Sequence, residues 1–88
     1  MLVSLSPDMA LHAWDGEVVA YDRLSGDTRL LDHMATSVVE LLLMRAQNPD
    51  DVLAILRQQE ADVPVDEWRA EFEACLANLL TLGVLRAE

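Results

Sequence analysis

The chain has 88 residues, 52% of them hydrophobic, and sets sixteen acidic side chains against six arginines and no lysine, for a formal net charge of −10. One small domain over residues 1–88 is expected, with a core large enough to fold but too small to enclose a deep catalytic cleft. Such a charge repels phosphate backbones, whose capture depends on clustered Arg and Lys, so no nucleic-acid partner is expected. The one cysteine, Cys75, excludes an internal disulfide, and with only His12 and His33 beside it neither a metal cluster nor a cofactor is expected. No apolar run reaches the roughly 18 to 20 residues that span a bilayer, and the N-terminus lacks the basic start and apolar core of a signal peptide. A cytoplasmic protein with no membrane partner is the expectation.

In chain order, Met1 to Asp8 shows no periodicity and reads as a lead-in that pairs loosely with the sheet or frays. Ala10 to Trp14 has strand character, and Asp15-Gly16 after it favours a type I′ turn into Glu17. From Glu17 to Asp32, two runs of β-branched, aromatic and aliphatic residues flank Leu24-Ser-Gly-Asp27, where Gly26 supplies the positive φ of a tight reversal. The result is a three-stranded antiparallel meander. Strand alternation puts His12, Trp14, Val19 and Tyr21 on one face and Leu11, Ala13, Val18 and Ala20 on the other. Leu31 joins the aliphatic set if the second turn has two or four residues, whereas a three-residue loop would swap the faces of the third strand.

Asp32 is placed to cap the first helix, whose apolar positions Ala35, Val38, Val39, Leu42 and Leu43 recur at three and four and end near Met44 or Arg45. Asn48-Pro49-Asp50 marks a break and restart into a short helix carrying Val52, Leu53, Ile55 and Leu56. After a loop from Asp62 that holds Pro64, Asp66 is expected to cap a longer helix from Glu67 to about Leu82, with Gly83 as its C-terminal stop. Along it Phe72, Leu76, Leu79 and Leu80 form one stripe, with Trp68 and Cys75 at its margin. Val84 and Leu85 fold back as an apolar tail. The fold class is therefore α+β and winged-helix-like: an N-terminal three-stranded antiparallel meander, then three helices.

Chemistry-bearing motifs are absent: there is no glycine-rich phosphate loop, metal-ligand spacing or nucleophile elbow, which argues against an enzyme. His12 and His33 lack spaced partners and are read as ordinary exposed histidines. Cys75 sits among helical apolar residues with no base one turn away, so it reads as a small hydrophobe of core or groove and not as a nucleophile. For Trp14 and Tyr21 two readings stand, packing or a contact surface, and the second would serve a homodimer.

The order of elements, together with Gly16-Glu-Val-Val-Ala-Tyr-Asp22, Ser25-Gly-Asp-Thr-Arg-Leu-Leu-Asp32 and the closing Cys75-Leu76, Leu79 and Gly83-Val-Leu85, resembles the small PqqD-like peptide chaperones of the HPr-rel-A systems. The resemblance covers roughly Trp14 to Leu85 and implies a RiPP recognition element, a non-catalytic domain that binds the leader of a ribosomally made precursor peptide and presents it to a modifying enzyme. It further implies that the leader adds as a strand beside the third strand and lies against the third helix, and that the enzyme partner is related to HPr kinase. Strand addition is physically apt, because Thr28, Arg29, Leu30 and Leu31 form an edge strand whose backbone groups can pair with an extended peptide. The groove wall is expected from Trp68, Phe72, Cys75, Leu76 and Leu79, some of which must instead fill the core. A generic protein-interaction domain is the alternative. A winged-helix DNA-binding regulator is weaker, since Glu67, Glu71 and Glu73 outnumber Arg69 on the helix that would read bases. A carrier protein lacks its Asp-Ser-Leu attachment site here.

Overall fold

The computed structural model describes residues 1–59 and 64–88. The expected loop start at Asp62 lies outside these residues. Among the described residues five strands and three helices follow one another: β1 (Val3–Leu5), β2 (Met9–Trp14), β3 (Glu17–Asp22), β4 (Thr28–Leu31), α1 (His33–Leu42), α2 (Pro49–Gln59), α3 (Val65–Thr81) and β5 (Leu85–Ala87). The chain is α+β, with the meander β2-β3-β4 preceding the three helices as the sequence pattern implies.

Both turns of the meander obey their residues. Asp15 and Gly16 take φ of 53° and 81°, the double positive φ of a type I′ turn, and Trp14 pairs with Glu17 across it. At the second turn the Asp22 carboxylate accepts from the amides of Leu24 and Ser25, and the Asp22 amide donates to the Asp27 carbonyl at 2.9 Å. Residues 23–26 thus form a four-residue loop, and Val18 pairs with Leu31 and Ala20 with Arg29. The aliphatic face is therefore the inner one: Met9, Ala20 and Leu31 are buried, and Leu11 and Val18 pack against them.

Three boundaries differ from the sequence pattern, each for a tertiary reason. The N-terminal lead-in is a strand, with Val3 fully buried, Leu5 paired to Leu85 and Val3 paired to Ala87. The expected apolar tail is its partner β5, so the two chain ends are sewn into a second, two-stranded sheet. Helix α1 stops at Leu42, short of the expected Met44 or Arg45, because the chain turns away to form a backbone bridge between Gln47 and Val3, while the Gln47 side chain donates to the Leu41 carbonyl. Leu43 and Met44 are consequently exposed. Helix α3 begins at Val65 after an extended Pro64, so Asp66 is not its cap but lies with Glu67 in the first turn, where a carboxylate still meets the positive end of the helix dipole.

The other helix ends behave as their residues require. Asp32 caps α1 by accepting from the Ala35 amide at 2.8 Å, and the Asn48 side chain accepts from the Asp50 amide at the start of α2. At the end of α3, Gly83 has φ of 79°, its amide donates to the Leu80 carbonyl, and the Val84 amide donates to the Leu79 carbonyl. That pair of bonds is a Schellman termination, which aims Val84 and Leu85 back into the core. The helices pack on the inner face of the meander, and the core joins Val38, Val39 and Leu42 of α1, Val52 and Leu56 of α2, and Trp68, Phe72, Leu76 and Leu79 of α3.

Candidate functional site: the open edge of β4

The meander has two outer strands, β2 and β4. The Asp22–Asp27 hydrogen bond decides which backbone groups of β4 point outward. In an antiparallel ladder bonded pairs alternate with non-bonded ones. With Asp22 bonded to Asp27, Arg29 and Leu31 turn their N–H and C=O toward β3. Thr28 and Leu30 therefore direct theirs to the open edge. Their side chains lie on the outer face, and Leu30 is 64% exposed.

The C-terminal half of helix α3 comes near this strand at two points. Near its end, Leu82 shares a small cavity with Asp27 and Arg29 at the start of β4. Two turns earlier, Cys75 lies close enough to Asp32 at the end of β4 for that carboxylate to act on its thiol. Burial first, and the Asp32 charge second, push the Cys75 thiol up to about 11, so it stays protonated and poorly nucleophilic at neutral pH. The Asp22 carboxyl in the turn is held below its ordinary value, chiefly by the Leu24 amide.

The expected groove wall divides. Trp68, Phe72, Leu76 and Leu79 are buried in the core, and the Trp68 and Phe72 rings stack with centroids 5.8 Å apart. Trp68 was expected at the margin of the apolar stripe; in the fold it is 2% exposed, because α1 and α2 close over the start of α3. These four side chains belong to the core, and Trp68 also lines a small cavity with Met34, Ser37 and Leu56. Cys75 is half-buried and remains on the side toward β4. The positions that share its helical face at three- and four-residue spacing are Glu71, Asn78 and Leu82, of which Leu82 is half-buried and the others exposed. Asn78 and Leu82 lie outside the expected wall, and helical spacing from Cys75 leads to both. Beyond the edge, the outer face of the sheet presents Trp14 at 78% exposed, together with Tyr21 and Leu30.

Among the described residues, no group of three or more His, Cys, Asp and Glu side chains could hold a metal ion, and no helix is long and apolar enough to cross a membrane.

The architecture defines a class: a small α+β domain whose three-stranded meander leaves β4 as an outer strand and is followed by three helices. No family model and no curated protein matches the chain, so the PqqD-like resemblance rests on the motifs quoted above. Among solved structures it is similar to TbiB1 in complex with the TbiA(beta) leader peptide, with a TM-score of 0.80 over 97% of this chain and 96% of that one, at 19% identity. At that identity the likeness establishes a shared fold, and function must be argued from the site.

Proposed function

We propose that this chain is a non-catalytic binder of an extended peptide, the leader segment of a ribosomally synthesised precursor, which it takes up by strand addition at β4 and presents to a modifying enzyme. The observation that carries this reading is the open β4 edge. Thr28 and Leu30 offer alternating N–H and C=O groups there, and α3 supplies a wall at Cys75, Asn78 and Leu82. Backbone pairing gives affinity with little demand on sequence, and alternate side chains of the peptide meet the wall and the outer face, which gives specificity. That the fold is shared with a protein whose structure contains a leader peptide supports the same reading. The PqqD-like motifs support an enzyme partner of the HPr kinase-related type and a cytoplasmic setting. The exposed Trp14, Tyr21 and Leu30 on the outer face are available to that enzyme or to a second copy of the chain.

A DNA-binding role is disfavoured by the charge of α3, which carries Asp66, Glu67, Glu71 and Glu73 against Arg69. The test is an anisotropy titration of the full chain with the labelled leader of the precursor encoded beside this gene, run in parallel with random duplex DNA. Saturable peptide binding and no duplex binding are expected. A leader that fails to bind the folded chain would sink the proposal.

A further inference from the structure

Beyond Leu30 the outer face of the sheet runs into a cavity of about 380 Å³, lined by Glu17, Leu30, Leu31, Asp32 and the first turn of α1. Its position follows from the ladder. Val18 pairs with Leu31, and Asp32 keeps an extended backbone (φ −74°, ψ −178°), so one more step of the same register brings Asp32 opposite Glu17. Glu17 in turn pairs with Trp14. A single row across the sheet thus reads Asp32, Glu17, Trp14: two carboxylates and then an exposed indole. The Asp32 carboxylate uses one oxygen to cap α1, which leaves the second for another donor. By the two-residue alternation of strands, a peptide paired with Leu30 brings its next outer-face residue into this row, at the mouth of the cavity.

We propose that this cavity receives a cationic side chain, Arg or Lys, of the bound peptide, two residues beyond the one that pairs with Leu30. The inference rests on the strand-addition reading and specifies its ligand. Leu30, exposed on this face, is the apolar floor for the aliphatic stem, as long cationic side chains require. The head group meets Glu17 and Asp32 as a cross-strand opposite-charge pair, whereas an apolar side chain there would desolvate the two carboxylates without compensation. A net charge of −10 adds a field that favours a cationic segment.

The test is to pan a phage-displayed random dodecamer library on the full chain and to keep, as edge binders, the sequences that no longer bind the Leu30→Pro variant. Aligned edge binders should share Arg or Lys at one position. Replacing that residue by Met in a synthetic consensus peptide should weaken binding to the parent about three- to tenfold. The same replacement should change little on a Glu17→Gln, Asp32→Asn double variant, in which Asn preserves the helix cap. Edge binders without a shared cation, or a preference for it that survives in the double variant, would overturn the cavity assignment and leave strand addition standing. A library that yields no edge binders at all would overturn both.

Discussion

Asp22 and Asp27 face each other across the mouth of the β3–β4 turn, the Asp22 amide donating to the Asp27 carbonyl at 2.9 Å. This one bond sets the parity of the whole β4 ladder, and so determines that Thr28 and Leu30, not Arg29 and Leu31, have outward backbone groups.

Proline substitution reads this parity directly. Leu30→Pro and Thr28→Pro should leave a folded chain that binds the leader peptide roughly ten- to a hundredfold more weakly, a cost of about 1 to 3 kcal/mol from a lost bond and an intruding ring. Arg29→Pro breaks the β3 ladder and should lower the melting temperature instead. Circular dichroism separates the two effects. Equal binding by folded Leu30→Pro and parent would refute strand addition at β4.

The buried aromatic pair should behave as structure. Phe72→Ala removes a ring stacked on Trp68 in the core and should cost about 3 to 5 kcal/mol of stability, as measured by urea unfolding. A stable Phe72→Ala chain that had lost only its peptide affinity would contradict the assignment of this side chain to the core. By contrast, Leu82→Ala at the half-buried wall should weaken binding several-fold with a smaller loss of stability.

The Cys75 thiol gives a pH dependence of known sign. Its folded value is raised from 9.0 to about 11, so the folded chain holds this proton where the unfolded chain releases it. Stability from this group is complete below the unfolded value and is lost as pH rises from about 9 toward 11. Parent minus Cys75→Ser stability, followed by denaturant midpoints over that range, should decline with pH. A flat difference would show that the thiol is not desolvated. Alkylation by iodoacetamide at neutral pH should be slow for the same reason.

The sewn termini are a further point of failure. Val3 is fully buried in the core from its place in β1, and Val3→Asp should unfold the chain at ordinary temperature, because an unpaired carboxylate would replace it. A near-native melting temperature would show that the N-terminal strand is dispensable.

The exposed indole bears on self-association. If the outer face joins two copies, Trp14→Ala should shift sedimentation at high concentration toward the monomer, since this side chain is 78% exposed in the single chain. Identical sedimentation of variant and parent would remove this face from any dimer.

What the sequence determined by itself lies where local chemistry dominates. Asp15-Gly16 specified its turn, Asp32 its cap, Asn48-Pro49 the restart of a helix and Gly83 the end of α3, since each needs only its own φ or its own side-chain oxygen. The two sheet faces followed from alternation once the second turn had an even number of residues. Tertiary structure decided the rest. Nothing local in Met1 to Asp8 announces a strand, because β1 exists through pairing with β5 at the opposite end of the chain and with Gln47. Nor does a helical stripe reveal which of its apolar members face the core and which face the edge of β4. Trp68 and Cys75 looked alike as marginal positions, and only the packing of α1 and α2 over one end of α3 buried the first and left the second beside the open strand.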